Sequence, residues 1–225
     1  MGLVEVFGDL VLPRRCAGCG APRTAWCDAC AGTLGRLVPV ARPGVARAFA
    51  LGAYRGAARR AVLAYKERGR RELGERLGAA LAAGVAELGG ADYLVPAPSR
   101  RAAVRRRGGA HMVWLARHCA AALGPGTSVA PVLRVDAGAL DSVGLDAAGR
   151  AANLAGRVRV VATAPPGSSV LLLDDVITTG ATAAAGARAL AGAGYRVAAV
   201  LALTATGSID EPTAYPRTGE IGSGT

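Results

Sequence analysis

The chain has 225 residues and a formal net charge of +11, which is enough for one well-packed core and a small additional segment. Hydrophobic residues make up 52% and charged residues 19%, a balance typical of globular proteins that excludes a wholly disordered chain. The positive charge favours anionic partners, whether phosphate substrates, nucleic acid or an acidic surface, without choosing among them. No apolar run approaches the roughly 20 residues of a membrane-spanning helix, and no signal peptide is evident. We therefore predict a cytoplasmic protein with no membrane span.

Two Cys-x-x-Cys pairs follow a short amphipathic helix predicted over residues 1–12. They comprise Cys16, Cys19, Cys27 and Cys30. Four thiolates at this spacing can close a tetrahedral zinc site with no open position, so the metal would be structural. Two disulfides or a redox pair are the alternatives, and a cytoplasmic location argues against disulfides. Gly18 and Gly20 fit the positive-φ positions expected in such turns.

A linker is predicted over residues 33–45, followed by a strand over 47–54 and helices over 56–67 and 69–88. The second helix carries leucines at three- and four-residue steps. Lys66, the only lysine of the chain, lies at the break between these helices. We interpret it as a phosphate or pyrophosphate contact, with an ordinary solvated lysine as an equally good alternative.

A second buried strand is predicted over residues 93–96, and a basic loop follows it. This loop contains Ser99, Arg100 and Arg101, and further arginines at positions 105–107. Arginines there could bind a pyrophosphate in a bidentate manner. A solvated basic face and a nucleic-acid patch are the alternatives. In the next helix, Cys119 is interpreted as a core residue and His111 as structural or solvated rather than catalytic.

The sequence then predicts strands over 128–135, 156–161 and 195–203. Between the first two strands it predicts a mobile loop that contains Arg150 and Asn153. Such a loop could exclude water from a site. Glycine, serine, threonine and proline dominate from residue 207 onward, so a disordered tail is predicted over 207–225.

The stretch over residues 170–182 is the most informative one. Four apolar residues predict a buried strand that two acids, Asp174 and Asp175, bring to an end. A threonine- and glycine-rich loop then leads into a helix, an arrangement that forms a site at the carboxyl end of a parallel sheet. The amides and hydroxyls of residues 178–182 suit a phosphate, and the acids suit a pair of sugar hydroxyls. A buried strand followed by an ordinary capped helix is the alternative. A nucleotide-hydrolase strand is excluded because no Gly-rich loop surrounds Lys66.

These residues resemble the 5-phosphoribosyl 1-pyrophosphate (PRPP) loop of type I phosphoribosyltransferases, and the whole pattern is similar to the ComF family. The resemblance rests on the Cys tetrad, Tyr65-Lys66, the Val95-Pro96-Ala97-Pro98 run with its arginines, and the central motif, with support from residues 144–154. It implies a type I phosphoribosyltransferase fold over residues 46–206, with a mostly parallel sheet flanked by helices, after an N-terminal zinc-binding segment over residues 1–45. Two departures stand out: Gly109, Ala110 and His111 stand where the family has a Phe-Asn-Gln-like run, and Ser142 stands near the place where a glutamine is common.

The resemblance implies transfer of a phosphoribosyl group to an unidentified nitrogen acceptor with release of pyrophosphate, with Mg²⁺ accompanying PRPP and a link to DNA uptake. Asp174 and Asp175 would be catalytic. The PRPP-binding set would comprise Asp174, Asp175, Val176, Ile177, Thr178, Thr179, Gly180, Ala181, Thr182, Lys66, Ser99, Arg100 and Arg101. The alternative function is a PRPP-binding scaffold or sensor that binds single-stranded DNA, a DNA-uptake helicase or a recombination partner. A regulator of purine genes also fits the central motif, but fits the Cys tetrad less well.

Overall fold

The computed structural model describes residues 14–99, 101–136, 157–162, 165 and 167–207, apart from the side chains of residues 101–103. The helices are α1 (Asp28–Ala31), α2 (Gly56–Glu67), α3 (Gly74–Glu87), α4 (Arg101–Arg106), α5 (His111–Leu123) and α6 (Ala181–Gly192), with 3₁₀ turns at Gly32–Leu34 and Arg71–Leu73. The strands are β1 (Val38–Pro39), β2 (Ala48–Ala50), β3 (Tyr93–Pro96), β4 (Ser128–Val129), β5 (Leu133–Val135), β6 (Val158–Val160), β7 (Ser169–Ile177) and β8 (Arg196–Ala205).

Six strands form a central sheet in the order β1-β2-β8-β7-β3-β4, and β5 pairs with β6 in a separate antiparallel ribbon. Every neighbouring pair in the central sheet is parallel except β1 with β2. The predicted mixed α/β fold with a mostly parallel sheet is therefore confirmed. The apolar run Val170–Leu173 is fully buried because β7 is a central strand with packed layers on both faces.

Two apolar cores cover the two faces of this sheet. One joins Leu171, Leu173 and Leu201 to helices α2, α3 and α5, and it includes Trp26 and Cys30 of the N-terminal segment. The other joins Val170, Leu172 and Val200 to α6 and to the β5–β6 ribbon. Successive residues of a strand point to opposite faces, so the alternate residues of β7 divide between the two cores. The four-Cys segment thus packs on the same core as helices α2 and α3.

Several predicted boundaries differ from the structure. The predicted linker contains β1, whose residues Val38 and Pro39 pair with β2 as an edge strand. The strand predicted over 128–135 is two strands in different sheets, since Ala130 and Pro131 interrupt it. β7 runs past the two acids to Ile177, because β8 continues alongside it up to Ala205.

The predictions for residues 1–13, 137–156 and 208–225 fall outside the described residues, and these include the N-terminal helix, the mobile loop and most of the tail. Within the described part of the chain, no helix is long and apolar enough to span a membrane.

Candidate functional site

The carboxyl ends of β3 and β7 lie side by side at one edge of the sheet. Pro96 is the register partner of Leu173, and the Ala97 amide donates to the Leu173 carbonyl at 2.7 Å. Because β3 stops there while β7 continues, Asp174 and Asp175 extend beyond the end of β3. The partly buried Ser99 follows β3 at the same edge. The structure therefore brings the predicted acidic pair and the start of the basic loop together.

The side chains of Asp174 and Asp175 leave β7 in opposite directions, as the alternation of a strand requires, but the two carboxyl groups remain close enough to interact. Asp175 shares the face of Leu171 and Leu173 and is only 4% exposed. Lys66 Nζ lies 2.8 Å from Asp175 Oδ2 and 3.1 Å from Oδ1. His111 Nε2 lies 2.7 Å from Oδ2. Asp175 is thus held by one residue at the end of α2 and another at the start of α5.

These contacts move the two carboxyl pKa values in opposite directions. Burial opposes ionisation of Asp175, but the hydrogen bond from His111 and the charge of Lys66 outweigh it and hold the Asp175 pKa well below its usual range. Burial, reinforced by the negative charge of Asp175, raises the pKa of Asp174 to about 7. Burial alone would lower the pKa of Lys66, but attraction to Asp175 raises it overall. The site therefore holds a charged Lys66–Asp175 pair beside an Asp174 carboxyl that takes up a proton more readily than an ordinary aspartate.

His111 has a well-defined role in this cluster that the sequence did not reveal. Its side chain is 3% exposed, so the solvated alternative is wrong. Its Nδ1 atom is buried and has no hydrogen-bond partner among the described residues. A proton on Nδ1 would be a buried donor without an acceptor, which is costly, so the tautomer with the proton on Nε2 fits best. In that form His111 donates from Nε2 to Asp175 Oδ2.

The loop after β7 turns into α6, and the start of this loop is accessible to a ligand. Thr178 is exposed, and Gly180 precedes the helix at φ 81°, a left-handed conformation that favours glycine. The Ala181 amide at the start of α6 donates to Thr179 Oγ1 at 3.4 Å. Val176 and Ile177 still belong to β7, and Ile177 is buried in the core. The accessible part of the predicted phosphate loop therefore begins at Thr178.

Arg42, in the segment between the cysteines and β2, holds this loop in place by hydrogen bonds. Its Nε donates to the Thr178 carbonyl at 2.6 Å, and its Nη2 donates to the Thr206 carbonyl. A Cβ at position 180 would lie 2.7 Å from Arg42 Cβ, so only glycine permits this approach. The sequence did not indicate a role for Arg42, because Arg42 lies 136 residues before the loop that it contacts.

The basic loop after β3 is only partly available to a ligand. Arg107 forms a bidentate pair with Glu67, with Nη2–Oε1 and Nε–Oε2 distances of 2.6 and 3.0 Å. Arg106 Nη2 lies 3.8 Å from the same carboxylate. The backbone of Arg101 begins α4. Arg100, Arg150 and Asn153 lie outside the described residues.

The four cysteines predicted to bind metal come together in space. Their Sγ atoms all lie within 4.8 Å of one another, and the Cys27 sulfur is 3.6 Å from the sulfurs of Cys16 and Cys19. A tetrahedron with Zn–S bonds of about 2.3 Å has sulfurs about 3.8 Å apart, so this donor set fits zinc. All four cysteines are free, and the cluster could hold such a metal ion.

One detail of this cluster differs from the prediction. Gly20 has a φ of 81°, as expected, but Gly18 is not among the residues with positive φ. Gly18 is required for space instead, because a Cβ there would lie 2.5 Å from Cys30 Sγ and 2.8 Å from the Trp26 ring. Amides of Gly18 and Cys27 donate to Cys16 Sγ, both at 3.4 Å, which stabilises a thiolate there.

Comparison with known proteins finds no family model and no curated protein that matches the chain. The ComF resemblance therefore stays a prediction from the motifs.

Proposed function

We propose that this protein binds PRPP at the carboxyl edge of β3 and β7, as a ComF-type phosphoribosyltransferase-like protein with a type I phosphoribosyltransferase fold. The observation that carries the proposal is the arrangement of the Asp174–Asp175 pair and the open loop from Thr178 beside the single lysine, Lys66. A ligand that joins a phosphate, a diol and a diphosphate matches these three features in order. Zinc would occupy the four-Cys cluster, and the function would be linked to DNA uptake.

The 5-phosphate would lie against the amides and hydroxyls of residues 178–182, at the start of the 12-residue helix α6, where helix N-termini favour anions. Arg42 would position this loop through the Thr178 carbonyl. Asp174, which keeps some solvent contact, would accept hydrogen bonds from the ribose hydroxyls. The Asp175 backbone amide, which donates to Asp174 Oδ1 at 2.8 Å, would hold the Asp174 carboxylate in position.

Lys66, with Ser99 and the arginines after it, would face the diphosphate. Magnesium, carried by the diphosphate, would offset part of its charge. Displacement of the diphosphate by a nitrogen nucleophile would form positive charge at the sugar, and the two carboxylates would stabilise that charge electrostatically. Positioning and electrostatics would supply most of the catalysis.

A binding protein without turnover is the second candidate, and one observation favours it. The charge of Asp175 is already paired with Lys66 at 2.8 Å, and the pKa of Asp174 is raised to about 7. A pair of carboxylates that is partly neutralised stabilises a cationic transition state less than a free pair would. In this function the exposed arginines, such as Arg105 and Arg106, would bind the backbone of single-stranded DNA, with an affinity that falls steeply with salt.

The test is calorimetric titration with PRPP and magnesium, followed by a pyrophosphate-release assay across a panel of nitrogen acceptors. Asp174→Asn and Arg42→Gln are each expected to weaken PRPP binding by about tenfold, the equivalent of one lost charge-assisted hydrogen bond. Arg36→Gln is the matched control for Arg42, because Arg36 is an exposed arginine of the same segment. Binding without pyrophosphate release would select the scaffold, and absence of binding in the wild-type protein would refute both functions.

A further inference from the structure

A pocket lies between α2, the Arg71–Leu73 turn and α5, on a part of the molecule that the proposed function does not use. It has a volume of about 400 Å³ and is lined by Tyr65, Arg71, Trp114, Arg117 and His118. Small-molecule sites of this size are concave and mostly apolar, with a few placed polar groups. Among the described residues that line this pocket none is acidic, while two are arginines.

The aromatic wall of the pocket is held in a fixed position. The Arg71 guanidinium carbon lies 3.7 Å from the centroid of the Trp114 ring, and Arg71 Nη2 donates to the Arg107 carbonyl at 2.9 Å. A Cβ at Gly109 would overlap the benzene part of the Trp114 ring, so the glycine backbone supports that ring closely. A ring held on both sides in this way does not lose freedom when a ligand binds.

The opposite wall is held in the same manner. A Cβ at Gly74 would lie 2.7 Å from both Cδ2 and Nε2 of His118, so the imidazole packs directly on the backbone of α3. The buried Tyr65 donates from its hydroxyl to the His111 carbonyl at 3.3 Å. Burial raises the pKa of Tyr65 to about 12. Its hydroxyl therefore remains neutral and does not repel a bound anion.

The charge of the pocket is positive and only partly used. Arg71 and Arg117 form no ion pair within the described residues, and Arg117 is exposed. An arginine that stacks on an aromatic ring keeps its in-plane donors for a carboxylate or a phosphate, and the outer face of its guanidinium can stack on a second ring.

We propose that this pocket binds a small molecule that combines a flat aromatic ring with a carboxylate or phosphate group. The ring would stack in the cleft beside Trp114, Tyr65 and the Arg71 plane, and the anionic group would pair with the exposed Arg117. A volume of about 400 Å³ admits a ring with one anionic substituent. The proposal does not depend on PRPP binding, since none of the five lining residues belongs to the candidate PRPP site.

The test uses phenyl phosphate and benzoate as probes, with inorganic phosphate and phenol as the anion-only and ring-only arms. Binding is followed by quenching of tryptophan fluorescence and by calorimetry on the full chain. We expect saturable binding of phenyl phosphate or benzoate that is at least about tenfold tighter than binding of phosphate or phenol, because each half of the ligand contributes separately. Trp114→Phe should abolish the quenching, since the only other tryptophan, Trp26, is buried beside the four-Cys cluster.

Two arginine variants assign the binding to this pocket. Arg117→Gln removes an exposed charge and Arg71→Lys replaces the flat guanidinium, and each should weaken the phosphate-bearing or carboxylate-bearing probe by about fivefold or more. Arg59→Gln is the matched control, because Arg59 also lies over an aromatic ring, that of Tyr54 at 5.7 Å, but outside the pocket. The proposal is overturned if neither aromatic anion binds saturably, if inorganic phosphate binds as tightly as phenyl phosphate, or if both arginine variants keep wild-type affinity.

Discussion

Replacing Lys66 by methionine tests the buried charge cluster on which the candidate site is built. Methionine keeps most of the apolar stem and removes the ammonium, which leaves Asp175 buried with His111 as its remaining side-chain donor among the described residues. At 2.8 Å and an effective dielectric constant of about 20, the gross attraction is about 6 kcal/mol, but desolvation of both ions offsets much of it. Because Lys66 keeps 27% of its side-chain exposure, we expect Lys66→Met to lower the free energy of unfolding by about 2–4 kcal/mol at pH 7.

The measurement is urea unfolding of the wild-type protein, Lys66→Met, Asp175→Asn and the double variant. The double variant should cost at least about 1.5 kcal/mol less than the sum of the two single variants, since removal of the lysine no longer strands a charge. Glu72→Gln is the control, because it breaks the ion pair between Arg70 and Glu72. The Arg70 Nε–Glu72 Oε1 distance is 2.7 Å, but the two side chains are 27% and 40% exposed. Exposed pairs of this kind contribute under about 1 kcal/mol to the free energy of unfolding. Additive costs, or a Lys66→Met cost no larger than that of Glu72→Gln, would refute the reasoning.

Two further predictions concern the metal cluster and Asp174. Cys16→Ser with Cys19→Ser should abolish zinc binding, measured by elemental analysis, and shift the emission of the buried Trp26 to longer wavelength; full metal content would exclude the four-Cys site. The stability of the wild-type protein should fall as the pH rises from 3.8 to about 7, because the folded state keeps the Asp174 proton that the unfolded chain has released. Asp174→Asn should remove this slope in urea midpoints and be more stable than the wild type at pH 7, and an unchanged slope would contradict the raised pKa.

The sequence by itself determined the elements and the chemistry that lies within short stretches of chain. The apolar run before Asp174 predicted a central buried strand, and the leucine spacing predicted the helix that ends at Glu87. The Cys-x-x-Cys spacing predicted a cluster that the structure brings within 4.8 Å. These predictions were possible because each depends on periodicity or spacing within a few tens of residues. The rule that parallel strands share a carboxyl edge also placed the loop after β3 beside the acidic pair.

Only the tertiary structure decided which distant side chains meet. His111 reaches Asp175 across 64 residues and Lys66 reaches it across 109, and no local pattern encodes either contact. The same holds for the contact of Arg42 with the Thr178 carbonyl. Strand ends were also decided by pairing, since β7 passes beyond its acids only because β8 continues beside it. The residues of a short stretch determine whether that stretch forms a helix or a strand. The charge state of a buried carboxylate depends instead on the groups that packing places around it.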